Sequence, residues 1–174
     1  GGTFSSAVKE EYCATGYIPT TNSDGTHGVK EGQYVAQVGN VKYESLAAAI
    51  GAAQDGDTVT LLADIDLPAT AVVEGKTITL ELNGKTLANT KDIWDIAPYD
   101  WSLISVREGG NLTINGSGAL RAKENDCYAL DVQDGGNLTV NGDASYVGNI
   151  HAIYVQKGTA QLQRPAEVSG RSEG

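Results

Sequence analysis

Two stretches of the chain are nearly identical in their alternation of hydrophobic and polar residues. Glu108 to Gly116 reads E-G-G-N-L-T-I-N-G, and Asp134 to Gly142 reads D-G-G-N-L-T-V-N-G. Side chains of a strand point alternately to its two faces, so each stretch predicts a strand with its aliphatic residues inward and its threonine outward. Upstream, similar tripeptides that begin at Ile104, Leu130 and Ile153 recur at spacings of 26 and 23 residues. Strand-like pieces at this period, with no helix between them, predict an all-β solenoid.

Stacked repeats of this kind predict columns of aliphatic residues about 4.8 Å apart, so that each repeat is buried only against its neighbours. The expected columns are Leu80, Leu112, Leu138 and Ala160; Leu82, Ile114, Val140 and Leu162; and Val73, Val106, Val132 and Val155.

Asparagine-glycine pairs recur at the ends of the predicted strands, at Asn83-Gly84, Asn115-Gly116 and Asn141-Gly142. Both residue types tolerate a positive φ, which predicts that the pairs form the same corner of successive repeats. Stacked Asn side chains can also hydrogen-bond along such a corner.

The residues before the repeats carry a resemblance to a known family. Val35 to Ile50 reads V-A-Q-V-G-N-V-K-Y-E-S-L-A-A-A-I, and Asp55 to Leu67 reads D-G-D-T-V-T-L-L-A-D-I-D-L. Together with the repeats, these segments resemble a right-handed parallel β-helix of the pectate-lyase-like class, and more narrowly the modules of large surface proteins of gut Firmicutes. In that family such a segment opens the module and its Ala-rich helix caps the first coil. The resemblance implies a right-handed parallel β-helix, capped by a short α-helix, over residues 35–174.

The sequence of the capping segment itself predicts a helix from Tyr43 to Ala53. Its hydrophobic residues fall on one helical face, at Leu46, Ala49, Ile50 and Ala53. Such a face suits a partner site or an end cap, and the end cap is favoured because the end of a solenoid exposes unpaired backbone that must be covered.

Residues 1–34 predict a small helix-plus-hairpin segment. Ser5 and Ser6 can cap a helix over Ala7 to Ala14 that Gly16 ends, and the turn Ser23-Asp24-Gly25 predicts a hairpin. The segment also resembles the closing segment of the same surface modules. That resemblance implies that residues 1–34 end one module and residues 35–174 begin the next.

The charge balance excludes some classes of function. The chain has 22 acidic and 12 basic residues, a formal net charge of −10, whereas a nucleic-acid-binding protein needs Lys and Arg to displace the counterions of phosphate. No apolar run approaches the ~20 residues of a membrane helix, so no membrane insertion is expected. Cys13 and Cys127 are the only cysteines, and the sequence leaves open whether they pair or stay free.

The repeat is broken at Ala88 to Trp101, which reads A-N-T-K-D-I-W-D-I-A-P-Y-D-W and contains both tryptophans of the chain. Insertions in solenoid repeats form loops on one face, often the binding face, and clustered aromatic residues are typical of protein interfaces and sugar platforms. The alternative is a loop that folds back and shields a hydrophobic surface. Binding is favoured because the aromatic residues alternate with aspartates. The candidate binding residues are Ile93, Trp94, Asp95, Ile96, Tyr99 and Trp101.

The remaining candidates for chemistry form no motif. Carboxylates such as Asp126, Asp131 and Asp134 are scattered, although β-helix lyases and glycosidases use paired acids. His27 and His151 have no His or Cys neighbour at metal-ligand spacing. The sequence therefore predicts no catalytic site, no metal and no cofactor.

These observations favour a non-enzymatic, adhesin-like binding module, secreted or cell-wall-attached on a bacterial surface. Proteins that resemble this chain include adhesins and superantigens that bind immunoglobulin variable domains, so the resemblance implies a host protein as partner, with an immunoglobulin as the particular candidate. A β-helix protein that binds or degrades a polysaccharide is the second hypothesis, and a structural spacer is the third.

Overall fold

The computed structural model describes residues 2–163 and 167–171. The chain divides into two compact units, Gly1–Tyr34 and Val35–Gly174.

The first unit is an antiparallel hairpin of β1 (Tyr17–Thr21) and β2 (His27–Glu31), which confirms the predicted hairpin. The helix expected over Ala7 to Ala14 is wrong, because only Glu10–Tyr12 is helical and forms a single 3₁₀ turn. No residue of this turn is buried and its N-cap, Lys9, makes no side-chain cap. A short segment without a buried face or a cap does not sustain an α-helix.

The second unit is mostly β, with parallel sheets and one short α-helix, α1 (Leu46–Ala52). Its strands in the described residues are β3 (Ala36–Val38), β4 (Val41–Tyr43), β5 (Thr58–Leu61), β6 (Ile65–Asp66), β7 (Ala71–Glu74), β8 (Thr77–Glu81), β9 (Thr86–Ala88), β10 (Ser102–Arg107), β11 (Asn111–Asn115), β12 (Ala119–Arg121), β13 (Tyr128–Gln133), β14 (Asn137–Asn141), β15 (Ser145–Gly148), β16 (Ile153–Gln156), β17 (Thr159–Leu162) and β18 (Glu167–Gly170).

Strands that are three places apart along the chain pair in parallel. Sheet 1 has the order β16-β13-β10-β7, sheet 2 the order β17-β14-β11-β8-β5-β3-β4, and sheet 3 the order β18-β15-β12-β9-β6. From β7 onward the chain therefore passes through sheets 1, 2 and 3 in turn, again and again. The antiparallel strands β3 and β4 complete sheet 2 beyond β5.

One of the three expected columns is confirmed in full: Val73, Val106, Val132 and Val155 are successive register partners in sheet 1. In sheet 2 the predicted partners in β11, β14 and β17 are also confirmed, but the predicted alignment of β8 with β11 is wrong by two residues. Leu112 pairs with Ile78 and Ile114 pairs with Leu80. Leu82 lies beyond the end of β8, where its amide donates to the carbonyl of Asn115.

The corner residues account for this shift. Asn83 and Gly84 both have positive φ values, 53° and 73°, and Asn83 Nδ2 donates to the carbonyl of Leu61 at 2.9 Å. Asn115 instead ends a regular strand and pairs with Glu81, so only the glycine after it turns the chain. The expected asparagine ladder forms between the last two pairs alone, where Asn141 Nδ2 donates to Asn115 Oδ1 at 3.3 Å.

Helix α1 buries the predicted face, since Leu46, Ala49 and Ile50 all belong to the core. The helix begins at Leu46 rather than at Tyr43 because Val41–Tyr43 is paired in β4. Ser45 Oγ accepts a hydrogen bond from Ala48 N at 3.2 Å and caps the start. At the other end, Lys76 Nζ donates to the carbonyls of Ile50 and Ala53, both at 3.0 Å. The positive charge satisfies carbonyls that have no partner within the helix and stabilises the negative end of the helix dipole.

The core runs through the middle of all three sheets. Its largest fully buried side chain is Tyr146 of β15, whose hydroxyl has no hydrogen-bond partner among the described residues. Toward β16, β17 and β18 the columns become exposed, with Val155 44%, Leu162 50% and Val168 42% exposed.

Candidate functional site

The segment 89–101 joins β9 to β10 and forms a folded loop that two anchors hold at its start. Asn89 is 4% exposed and donates from Nδ2 to the carbonyl of Lys91 at 2.7 Å and to Asp126 Oδ2 at 2.6 Å. The Asp126 carboxylate, itself 8% exposed, also accepts the amides of Ile93 at 3.0 Å and Trp94 at 3.1 Å. A buried carboxylate from the next repeat thus fixes the backbone from which Trp94 projects.

The tip of the loop is a tight turn. The amide of Asp95 donates to the carbonyl of Asp100 at 2.9 Å, and Asp95 Oδ1 accepts the amide of Ala97 at 3.1 Å. Tyr99 adopts a left-handed backbone with φ 73°, and its amide donates to the carbonyl of Ile96 at 3.2 Å. These bonds hold Ile96 and Tyr99 outward, 71% and 57% exposed.

Arg107 ties the far side of the loop to sheet 1. Its Nη1 donates to the carbonyl of Pro98 at 3.1 Å and to Asp100 Oδ1 at 3.3 Å, and its Nε lies 3.6 Å from Glu74 Oε2. The side chain is 17% exposed, so most of it lies under the loop.

A buried carboxylate lies beneath the loop. In β13, Asp131 lies between the core residues Leu130 and Val132, so by alternation its side chain points to the face of the sheet away from the core. The side chain is nevertheless 0% exposed. It accepts hydrogen bonds from Ser105 Oγ at 2.6 Å, Ser102 Oγ at 2.8 Å and Gln133 Nε2 at 2.9 Å. Gln133 Nε2 also donates to the carbonyl of Tyr99 in the loop at 3.1 Å. Burial raises the pKa of Asp131 above its ordinary value although these bonds oppose the rise.

The outer surface of the loop continues onto sheet 1 as a cluster of rings, which we call the ring face: Trp94, Tyr99, Trp101, Tyr128, His151 and Tyr154. Trp94 stacks on Trp101 with centroids 6.0 Å apart and meets the edge of Tyr128 at 5.4 Å. Trp101 also meets the edges of Tyr99 at 5.5 Å and Tyr154 at 6.1 Å.

The rings of sheet 1 extend the ring face over two further repeats. Tyr128 lies 5.2 Å from Tyr154 and 5.5 Å from His151, and His151 stacks on Tyr154 at 5.8 Å, all between centroids. Burial, with smaller contributions from Tyr154 and Asp131, raises the pKa of the Tyr128 phenol, which therefore stays neutral at physiological pH. The ring face is thus a continuous aromatic surface.

The candidate residues of the loop lie at different depths. Trp94 is 40% exposed and Ile96 and Tyr99 are more exposed, Asp95 is also exposed, and Trp101 is half-buried among the rings. Ile93 is 8% exposed and packs in the core.

Three members of the ring face do not come from the loop: Tyr128, His151 and Tyr154. The sequence carries a signal for two of them, because the register of β13 and β16 puts His151 and Tyr128 at equivalent places in successive repeats. An isolated histidine or tyrosine at such a place is, however, typical of any solvated strand.

A groove of ≈ 440 Å³ lies beside the ring face. Its lining consists of Asp92, Trp94, Asn125, Asp126, Tyr128, Asn149 and Ile150. Asp92 accepts a hydrogen bond from Lys123 Nζ at 2.6 Å, and this contact raises the pKa of Lys123.

Other sequence candidates lie apart from the ring face or inside the protein. Asp134 is exposed in a turn with φ 40°. Cys13 and Cys127 are both free thiols, and burial raises the pKa of the Cys127 thiol. No group of three or more His, Cys, Asp or Glu side chains arranged for a metal ion occurs in residues 2–163 and 167–171. Over the same residues the helices are too short to cross a membrane.

Comparisons with known proteins give no relative: the chain matches no protein-family model, and no curated protein or solved structure shows significant similarity to it.

Proposed function

We propose that residues 35–174 form a right-handed parallel β-helix, a solenoid in which sheets 1, 2 and 3 are the three faces. The proposal is supported by the parallel pairing of strands three places apart and by the continuous valine column of sheet 1. Connections between parallel strands are right-handed in nearly all proteins. Helix α1 then covers the core at the first coil, as the resemblance to surface modules implies.

The function we propose for this module is non-enzymatic binding of a host macromolecule at the bacterial surface, in the manner of an adhesin, by a secreted or wall-attached protein. The observation that carries the proposal is the ring face. Aromatic side chains supply large contact areas with few rotatable bonds, and they dominate the energetics of protein interfaces. Here they are held from below by Asp126, Arg107 and Gln133, so little ordering is needed when a partner binds.

A host protein is the partner class that we propose, and an immunoglobulin variable domain is the particular candidate. A broad aromatic surface of partly exposed rings suits the flat side of a folded domain. The net charge of −10 favours partners with a basic patch through complementary fields.

The test measures binding of purified Fab fragments to the immobilised chain by surface plasmon resonance. The variants are Ile96→Ser, which shortens a 71% exposed side chain at the loop tip, and the double replacement Trp94→Ala with Trp101→Ala. Tyr12→Ala, which removes a 73% exposed ring from the first unit, is the matched control. We expect roughly tenfold weaker binding or more for the double variant, weaker binding for Ile96→Ser, and no change for the control.

Three outcomes would contradict parts of this proposal. Fab binding that survives the double replacement unchanged removes the ring face from the interface. Absence of any protein capture from serum favours the spacer hypothesis. Depolymerisation of an acidic polysaccharide by the purified chain would show an enzyme and overturn the non-enzymatic assignment.

A further inference from the structure

The groove beside Trp94 combines an apolar platform with hydrogen-bonding groups in a way that the rest of the ring face does not. Its lining includes the rings of Trp94 and Tyr128 and Ile150, whose side chain is 56% exposed. The same lining includes the polar residues Asn125, Asn149 and Asp92.

Much of the hydrogen-bonding capacity of this groove is unused. Among the described residues, the side-chain amide of Asn125 forms no hydrogen bond. The side chain of Asn149 uses only Oδ1, which accepts a hydrogen bond from the backbone amide of Asn125 at 3.3 Å. Asp92 uses Oδ1 for Lys123, which leaves Oδ2 available. Unused hydrogen-bond donors and acceptors therefore lie beside the exposed indole of Trp94.

The charge of the groove restricts the ligand. Asp92 and Asp126 both line it, and two nearby cations are not among the lining residues. Lys123 already binds Asp92, and Arg171, whose backbone amide donates to the carbonyl of Asn149, donates from Nη1 to the carbonyl of Ala122. A carboxylate or phosphate in the groove would meet two like charges, and no cation among the lining residues offsets them. A ligand rich in hydroxyl groups and without negative charge meets no such penalty.

We propose that this groove binds a neutral sugar residue, with one pyranose face on Trp94 and its hydroxyl groups on Asn125, Asn149 and Asp92. A pyranose has an apolar face of C–H groups and a rim of hydroxyls, which matches an aromatic platform flanked by amides and a carboxylate. The groove volume of ≈ 440 Å³ lies within the range of small-molecule sites. This saccharide site adds a second specificity to the proposed protein-binding function and does not depend on it.

The groove is also preorganised for such a ligand. The Trp94 amide is held by Asp126, and its ring is held by Trp101 and the edge of Tyr128. A platform that is already fixed loses little side-chain entropy on binding, which matters for ligands that gain little from each contact.

The experiment titrates the whole chain with methyl pyranosides of glucose, galactose, mannose and N-acetylglucosamine, and with methyl glucuronide as the charged counterpart of the glucoside. Binding is followed by saturation-transfer NMR and by quenching of tryptophan fluorescence. Two variants test the groove: Trp94→Ala removes the platform, and Asn149→Asp keeps the acceptor for Asn125 but replaces the free amide by a carboxylate. Asn40→Asp, at an exposed turn of the same unit, is the matched control for the added charge.

We expect at least one neutral pyranoside to bind in the millimolar range, more tightly than the glucuronide. Trp94→Ala and Asn149→Asp should each weaken it by about tenfold, and Asn40→Asp should leave it unchanged. The proposal is overturned if no neutral pyranoside binds, if the glucuronide binds better, or if both groove variants bind as well as the parent chain. Fab binding distinguishes the two functions, because Asn149→Asp should leave it intact whichever way the saccharide titration falls.

Discussion

Removal of the Asp126 carboxylate is the sharpest test of how the loop is held. Asp126 comes from the repeat after the loop, is 8% exposed, and accepts one side-chain amide and two backbone amides of the loop. In Asp126→Ala, Asn89 keeps its bond to the carbonyl of Lys91. The amides of Ile93 and Trp94 instead lose their acceptor while the Ile93 side chain remains anchored in the core.

The cost can be worked from these bonds. A hydrogen bond to a charged acceptor contributes about 1.5–3 kcal/mol, and a buried donor left without a partner costs about 1–3 kcal/mol. The segment around Trp94 is partly exposed, so water can reach one of the two amides after a small opening of the loop. We therefore expect the free energy of unfolding of Asp126→Ala to fall by about 2–4 kcal/mol, and that of Asp126→Asn, which keeps one acceptor oxygen, to fall by less.

Tryptophan fluorescence during urea unfolding measures this loss where it occurs, because the only two tryptophans of the chain are Trp94 and Trp101. Near-ultraviolet circular dichroism of the folded variant should also weaken as the stacked pair loosens. Asp143→Ala, which removes an exposed carboxylate from the same unit, is the control and should change the free energy by less than about 0.5 kcal/mol. If Asp126→Ala matches that control in both signals, the carboxylate does not hold the loop and our account of the ring face is refuted.

Three further predictions concern the body of the fold. Gly136→Ala should lower the free energy of unfolding in urea by about 1–3 kcal/mol, because a Cβ there would collide with the carbonyl of Val106. Gly51→Ala, in open space on α1, should instead raise it by about 0.5–1 kcal/mol, and equal effects of the two variants would refute the argument. Tyr146→Phe should raise the melting temperature, since it removes a buried hydroxyl that has no hydrogen-bond partner among the described residues. A decrease of about 1 kcal/mol in the free energy of unfolding would instead reveal a hydrogen bond to that hydroxyl. Burial raises the pKa of Asp131, so the contribution of this carboxyl to stability is full below its ordinary pKa of about 4 and is lost as pH rises through the folded pKa. The free energy of unfolding of the parent chain relative to that of Asp131→Asn should therefore fall as pH rises above about 4, and a difference independent of pH would contradict this.

The strands and their buried faces were predictable from the sequence because both depend on local alternation. Leu112, Ile114, Leu138 and Val140 are all buried, as the period of two requires. The face of α1 was predictable for the same reason, with a period of 3.6. The predicted helix over Ala7 to Ala14 failed where no such period existed and only propensity and a cap remained.

The register of β8 was not predictable from the same pattern. A shift of one residue would turn every side chain to the opposite face, but a shift of two residues keeps each on its own face. The repeat T-I-T-L-E-L therefore fits equally well with Leu80 beside Leu112 or beside Ile114. The likeness of Asn83-Gly84 to Asn115-Gly116 favoured the wrong choice, because the two pairs have different backbone conformations.

The ring face was predictable only in part because it is assembled across repeats. Trp94, Tyr99 and Trp101 are close in sequence, but their contacts to Tyr128 and Tyr154 depend on how the loop folds over sheet 1. That fold in turn depends on long-range bonds, to Asp126 and Arg107 above all, that no local pattern reveals.

The two interpretations of the loop, a shield and a binding surface, describe its two sides. Its inner side places Ile93 in the core and covers Asp131, which explains why an outward-pointing carboxylate is fully buried. The aspartates between the aromatic residues stabilise the loop: Asp95 closes its turn, and Asp100 receives Arg107. Asp95, Asp100 and the buried side chain of Ile93 hold the backbone of the loop. The stability of the loop therefore does not require the outer rings to be exposed. For this exposed aromatic surface, which the fold supports with the buried carboxylates of Asp126 and Asp131, we therefore propose contact with a partner.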